Sequence, residues 1–572
     1  MAVSPPAPSP SSSSASATAT EADVEAQRPS AITKTTNTKV SYFHTLIDQA
    51  GITDDVLAHE YEGHGTVESP YLVEFLPGDR YNPMNFAKPR KWYISIVQAV
   101  ATLSVSFASS AFSGGMGDVI TYFDISSEVA ILGVSMFVLG FAIGPLFWAP
   151  LSEMYGRQKL FFFTYMALTA FNAGAAGAPN VQSMIILRFF AGAFGSSPLT
   201  NAGGVIADMF TANERGIATS IFAMAPFLGP AIGPIAGGFL GQASGWRWVQ
   251  GMITIFTGVV WIISTLSYPE TYAPVLLEQR AKALSKKTGK QYISKLDAGR
   301  PPQTMGAKFK VALLRPWVLL FVEPIVLLTS IYMAIIYGTL YLCFAAFPIV
   351  FQQGRGWGPG IGGLAFIGIA VGMLIATFGT MIDNKRYARV AASYGGMAPP
   401  EARLPPGLVG CVLIPVGMFW FAWTNGADIH WAVSIVGSGF FGAGIVLVFL
   451  SLMNYLIDSY IIYAASVLAA NSVLRSLFGA AFPLFTTYMY KDLGIHWASS
   501  IPAFLAVACV PFPFLFYRYG EKIRAKCKYT SEASNVLQQI MAKHQTDAGG
   551  HGDENGMAEI ELERTRSSAY PH

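Results

Sequence analysis

In GPLFWAPLSEMYGRQKL, Glu153 precedes Arg157 by four residues, with Gly156 between them and Lys159 just beyond. An acid and a base so placed make an ion pair, not a nucleophile or a metal cage. Anchoring at a membrane edge would explain Arg157 and Lys159 by themselves, but it does not ask for the acid. In RFFAGAFGSSPLTNAGGVIADMF, Arg188 stands inside an apolar run and Asp208 at its end. A guanidinium within lipid is costly and reads as functional; the structural alternative is an arginine snorkelling from a helix end. GPAIGPIAGG sets helix breakers inside the oily run 218–240. At that depth breakers persist where neighbouring helices or a cavity satisfy the backbone. Gly229, Gly233 and Gly237, four apart, suit close helix packing. Two further apolar stretches carry polar or aromatic groups: Tyr332, Tyr337, Tyr341 and Phe344 in one, Asn471 and Arg475 in AANSVLRSLFGAAFPLF. For any one of the tyrosines, plain helix packing is an equal alternative, and Arg475 could be an anchor at a helix end. These residues can pair charges, recognise small molecules and let helices move.

Bond-making chemistry has no comparable signal. The chain has no HExxH, no GxSxG and no GxxxxGK[ST]; HEYEGH at His59 has the wrong spacing for zinc. We therefore expect no enzyme, no metal site, no cofactor and no intrinsic nucleotide-driven pump.

The elements that must position these groups follow from composition. Of 572 residues, 52% are hydrophobic and 12% charged, against about 25% charged in ordinary soluble domains. Apolar segments fall near 92–112, 128–150, 160–178, 181–208, 217–240 and 247–267, and again near 322–350, 359–382, 406–423, 430–453, 462–488 and 497–519. Each is about long enough to cross a bilayer. The expected fold is an all-α membrane protein, with twelve transmembrane helices in two six-helix pseudo-symmetric halves. Arg157, Lys159, Arg215, the basic residues between Arg280 and Arg315, Lys385, Arg386, Arg389, Arg403 and the group Arg518 to Lys528 then share one side. That bias makes both termini cytoplasmic. The expected organisation is a disordered cytoplasmic tail 1–40, a cytoplasmic pre-membrane segment 41–91, an N-terminal half 92–267, a cytoplasmic central loop 268–321, a C-terminal half 322–519 and a cytoplasmic tail 520–572. The tail 1–40 holds no cleavable signal peptide. An offset of 250 residues aligns Asp208 with Asp458, Gly229 with Gly479 and Gly233 with Pro483, a weak internal repeat. Cys343, Cys411, Cys509 and Cys527 suggest no disulfide framework. A net charge of +3 says nothing about nucleic acid, and none is expected as a partner.

Here the residues resemble a family. The turn from Glu153 to Lys159 is similar to the loop signature between spans 2 and 3 of the major facilitator superfamily, and RFFAG to its buried-arginine motif. Gly229, Gly233, Pro234, Gly237 and Gly238 fit the G-x-x-x-G-P-x-x-G-G pattern marking proton antiporters. With PETYAPVLL from Pro269, PEARLP from Pro400 and the spans holding Tyr332 and Asn471, the stretch from Tyr81 to Tyr529 resembles the fungal twelve-span drug:proton antiporters. The resemblance implies export of small amphipathic organic molecules (drug, toxin or secondary metabolite) by alternating access, driven by the proton gradient. It implies a monomer in the plasma membrane, with the vacuolar membrane as alternative. It implies that the span 5 cluster packs against the opposite half near span 8, and that Glu153, Arg157 and Asp208 latch the halves together when the cavity faces outward. A midplane cavity would be lined by Tyr332, Tyr337, Tyr341, Phe344, Asn471 and Arg475.

Two departures stand out: Ala149 replaces the loop motif's first glycine, and Met154 follows its acid where a basic residue is usual. The charge network there should be thinner than the family norm. Span 1 has no acid, so proton coupling falls to Arg188 and to Glu323 before Pro324. Alternatives remain a proton-coupled importer and a dedicated exporter of an organic acid or polyamine. A membrane-embedded enzyme is disfavoured for want of a catalytic motif.

Overall fold

The computed structural model describes residues 46–298, 305–394 and 398–533. The expected tail 1–40 and most of the tail 520–572 lie outside the described residues.

Six long helices come first: α1 (Lys88–Ala111), α2 (Ser127–Tyr155), α3 (Arg157–Ala176), α4 (Val181–Met209), α5 (Ala212–Ser244) and α6 (Trp246–Ser267). Two helices of the central segment follow, α7 (Ala273–Thr288) and α8 (Met305–Val322), then α9 (Pro324–Phe347), α10 (Phe366–Ser393), α11 (Pro405–Thr424), α12 (Trp431–Ser459), α13 (Ala464–Cys509) and α14 (Pro511–Lys526). Among the described residues nine helical runs are long and apolar enough to cross a membrane. α4 is absent from that set because its middle, GSSPLTNAGG, is small and polar, which suits a helix surrounded by other helices.

Local chemistry sets the helix ends. Ser126 and Asn180 cap α2 and α4 by accepting the backbone N–H groups of Val129 and Ser183. α2 gives way to α3 at Gly156, whose φ of +93° is open to glycine but strained for other residues. The 46-residue run of α13 is broken at Gly494, φ +74° and ψ 167°, into two arms. Those arms correspond to the apolar segments 462–488 and 497–519, the second continued by α14 to Lys526. Along α6, Trp248, Ile255, Val259, Ile262 and Leu266 face outward while Val249, Ile253, Val260 and Ser264 are buried. A continuous exposed apolar stripe of this kind suits lipid rather than water.

The two halves share one packing rule. α5 lies along α1 of its own half, and the first arm of α13 along α9 of the other. Each also reaches across: α5 meets Pro359 and α10, and α13 meets α2. This is the physical counterpart of the weak repeat at Gly229 and Gly479.

The central segment departs from the expectation of a polar loop. β1 (Tyr71–Val73) of the pre-membrane segment pairs in parallel with β2 (Tyr292–Ser294). Val56 and Val73 pack on Leu277, Ala281 and Leu284 of α7, a stripe at helical spacing within a lysine-rich sequence. Beside it Arg280 is buried, ion-paired to Asp79 and donating from Nε to the Ala50 carbonyl at 3.0 Å and from Nη2 to the Gly51 carbonyl at 3.4 Å. Tyr61 donates its hydroxyl to the Val56 carbonyl at 2.8 Å, and burial pushes its phenol up to about 12. The segments 46–87 and 268–298 thus form a small folded unit at one end of the bundle, called here the domain end.

Candidate functional site

At the domain end, the cluster expected from Glu153, Arg157 and Asp208 has a different centre. Arg157 Nε lies 3.5 Å from Asp208 Oδ2, and Arg157 Nη1 donates to Asn201 Oδ1 at 3.2 Å. Its guanidinium stands 4.9 Å from the ring centre of Tyr272, and Glu153 acts on it through charge. The organising group is Glu270, from PETYAPVLL, which sequence reasoning had quoted but given no role. Its carboxylate is buried against the start of α3. Oε1 accepts the N–H groups of Arg157, Thr271 and Tyr272 at 2.9, 3.0 and 2.9 Å, and Oε2 that of Gln158 at 3.1 Å. An acid at a helix N-terminus satisfies donors that have no partner within the helix. All these residues belong to the N-terminal half or to the start of the central segment that follows it. In this structure the cluster ties the ends of α2, α3, α4 and α6 together: Asp208 of span 4 pairs with the Arg157 side chain, and Glu270, after span 6, takes its backbone N–H. The other half repeats the pairing, with Arg403 Nε 2.8 Å from Asp458 Oδ2 and the Arg403 guanidinium 3.4 Å from the Tyr387 ring centre.

Arg188 is wholly buried, which excludes the snorkelling alternative. Nε donates to the Gly133 carbonyl at 2.6 Å, Nη1 to Gln250 Oε1 at 3.5 Å, and Nη2 to the carbonyls of Ala108 and Ser109 at 3.2 and 3.3 Å. The rings of Phe112 and Phe137 flank it at 4.4 and 4.9 Å. α1 tightens at Phe112–Gly115 into a 3₁₀ turn, just beyond the two carbonyls that Arg188 meets. Arg188 therefore joins α4 to α1, α2 and α6.

The glycines of α5 present two faces. A Cβ at Gly229 would stand 2.8 Å from the Leu103 carbonyl oxygen, one at Gly233 2.8 Å from Ala111 N, and one at Gly237 2.0 Å from the Ala111 oxygen. All three lie on α1, in the same half, so only part of the cluster meets span 8 as expected. The contact across the halves falls to Gly238, whose Cβ would stand 2.5 Å from the Pro359 oxygen, and to Pro234, whose oxygen would stand 2.6 Å from a Cβ at Gly363. Close by, Gly360 N–H donates to Gln242 Oε1 at 3.1 Å. At the far end of the bundle the two halves thus meet backbone on backbone.

The residues expected to line a cavity separate into two groups. Tyr337 and Tyr341, one helical turn apart, face the opposite half: their hydroxyls are 3.3 Å apart, and Tyr341 shares a 2.8 Å hydrogen bond with Ser109 of α1. A Cβ at Gly479 would touch both Tyr337 and Val138 of α2. Arg475 stacks over Tyr337 at 4.8 Å and over Phe449 at 5.1 Å, and Phe449 meets Phe227 of α5 at 4.7 Å. Phe344 joins this set through Tyr341, 5.0 Å between ring centres. Tyr332 does not belong to it. Five residues along a helix is a rotation of about 140°, so Tyr332 points away from Tyr337, into its own half beside Cys411 and Cys509. Asn471 serves as a joint, donating to Ser330 Oγ at 3.3 Å and to Met333 Sδ at 3.2 Å.

Glu323 is buried at the domain end of α9, about 20 Å along the helix from Tyr337. It accepts the Tyr460 hydroxyl at 2.8 Å and the Tyr529 N–H at 2.9 Å. This pins the chain after α14 to the start of α9. The four cysteines are free and buried. Among the described residues, no group of three or more His, Cys, Asp or Glu could hold a metal ion.

The Major Facilitator Superfamily profile matches residues 98–483. The chain is 62% identical to the MFS-type efflux pump MFS2 of Trichophyton rubrum, over 89% of this chain and 85% of that protein. It is 60% identical to the Major facilitator superfamily multidrug transporter mdrA of Aspergillus fumigatus, over 90% and 85%, and 59% identical to the Efflux pump FUB11 of Gibberella moniliformis, over 86% and 83%. Among solved structures it resembles the proton:xylose symporter XylE bound to 6-bromo-6-deoxy-D-glucose, with a TM-score of 0.55 and 17% identity, over 76% of this chain and 97% of that one. At that identity the likeness shows the fold alone.

Proposed function

The chain belongs to the major facilitator superfamily, and we propose that it is a secondary active transporter exporting small amphipathic organic molecules by proton antiport. The observation that carries this reading is the two-faced contact of α5. A stripe with no side chains lets α5 lie directly on α1, while Gly238 and Pro234 press on Pro359–Gly363 of the other half. Contacts made by backbone without interlocking side chains can part and re-form as two rigid halves rock. The names of the relatives, efflux pumps and a multidrug transporter, support export over import.

In this reading the twelve expected spans cross the plasma membrane, the domain end is cytoplasmic together with both termini, and the chain works as a monomer. Substrate enters between the halves and meets Tyr337, Tyr341, Phe344 and Arg475. Arg188 couples the proton by moving with α1 and α2, whose carbonyls it holds. The energy source is the proton gradient, with no bound cofactor. Glu323, hydrogen-bonded at the cytoplasmic edge, is the weaker candidate for proton coupling.

The test is accumulation of a panel of toxic compounds and dyes in transporter-deleted fungal cells expressing the chain, with and without a protonophore. Export predicts lower accumulation that needs the gradient and is lost in Arg188→Ala at normal expression. Raised accumulation would make the chain an importer.

A further inference from the structure

We propose that the exported molecules are organic anions, carboxylates above all, and that Arg475 is the group that holds them. This rests on the export reading just given and narrows its substrate class. Within the twelve apolar segments of the sequence, Asp and Glu occur only at the ends, as Glu128, Asp208 and Glu323. Away from the ends those segments hold two ionisable cations, Arg188 and Arg475. The middle of the bundle is therefore positive.

The two arginines differ in what surrounds them. Arg188 has four acceptors on its three nitrogens and needs no ligand. Arg475 has two rings. Among the described residues no carboxylate forms an ion pair with it, and its buried Nε has no hydrogen-bond partner. The ionisable groups that act on it are the hydroxyls of Tyr337 and Tyr341. Tyr337 and Phe449 belong to one half, while Val138, Ser109 and Phe227 bring α2, α1 and α5 of the other half to the same place. A guanidinium stacked on rings keeps its edges for in-plane hydrogen bonds, and that fork matches a carboxylate in two parallel contacts. A neutral molecule would leave the cation without a counter-charge, and an amine would be repelled. An aromatic acid would set its ring among Tyr337, Tyr341, Phe344 and Phe449 and its carboxylate on Arg475.

The experiment measures equilibrium binding to the full-length chain in phosphatidylcholine nanodiscs. The probes are three compounds of one shape: 4-butylbenzoate, neutral 4-butylbenzamide and cationic 4-butylbenzylamine. A charge-assisted pair predicts that the benzoate binds roughly ten- to a hundredfold tighter than the amide, and the amine weakest. Arg475→Gln should bring the benzoate down to the level of the amide, and Arg475→Lys should keep part of the preference. Equal affinity for the three, preference for the amine, or no benzoate binding up to about 1 mM overturns the proposal. So does an Arg475→Gln protein that keeps the preference. The wild-type comparison needs no variant, so a misfolded Arg475→Gln does not spoil the test. If the benzoate is preferred but an imposed proton gradient moves none of it in proteoliposomes, the export reading fails and the anion site stands. If a gradient drives all three alike, the anion proposal fails alone.

Discussion

Replacing Glu270 by glutamine should loosen the domain end of the N-terminal half, and the size of the effect follows from its contacts. The carboxylate accepts four backbone N–H groups, three on Oε1 and one on Oε2. A glutamine can keep its oxygen where Oε1 stood and retain three of them. Its NH₂ group then confronts the Gln158 N–H, which is left without an acceptor. An orphaned buried donor costs about 1–3 kcal/mol, and each retained bond loses the extra strength that a charged acceptor provides. Together the loss comes to roughly 3–5 kcal/mol. Spread over the unfolding entropy of a chain this long, it lowers the melting temperature on the order of 4 °C. The assay is thermal unfolding of purified full-length protein in detergent, followed by size-exclusion chromatography. Glu278→Gln, at an exposed pair with Lys282, is the control. A Glu270→Gln protein melting with the wild type would refute the assignment of Glu270 as the centre of the cluster.

Three further outcomes follow. Gly237→Ala places a methyl 2.0 Å from the Ala111 oxygen, so α1 and α5 must separate; we expect a loss of about 1–3 kcal/mol and impaired export, whereas Gly117→Ala, with nothing within 4 Å, should match the wild type in both measurements. Arg280→Ala leaves Asp79 buried without its partner, a change of about 3–5 kcal/mol in a buried pair; protease should then cut the segment 46–87 readily while the bundle stays folded. The Tyr61 phenol, raised by burial from 10 to about 12, gives stability that is complete below pH 10 and lost as pH rises through 12; protease access to that segment should climb over this interval in the wild type, and Tyr61→Phe should lack that share of the rise.

Much of the bundle was legible in the sequence because lipid imposes one requirement, about 20 apolar residues per crossing. Gly156 and the loop before Trp497 marked reversals for the same reason. What escaped had two physical causes. Glu270 acts on α3 from 113 residues away in sequence, and nothing in PETYAPVLL says which helix end it will meet. The partners of Arg188 are mostly backbone carbonyls, which no side-chain pattern displays. Other misses were avoidable. Leu277, Ala281 and Leu284 repeat at helical spacing, so α7 is readable within the lysine-rich central segment. The turn per residue of a helix likewise separates Tyr332 from Tyr337 and Tyr341. The span 5 motif reads as a packing surface and meets span 8 through Pro234 and Gly238, but a stripe of glycines does not say that Gly229, Gly233 and Gly237 lie on α1.

The central claim is that the far-end contact between α5 and α10's half must open for substrate to leave. Gln242→Cys with Gly358→Cys lets a short bis-methanethiosulfonate linker join its two sides, since the end of the Gln242 side chain lies within 3.5 Å of where a Cβ at residue 358 would stand. Proton-driven export would be measured in vesicles before cross-linking, after it, and after reduction of the linker. The account predicts normal export, then none, then recovery. Full export by the cross-linked protein would contradict it.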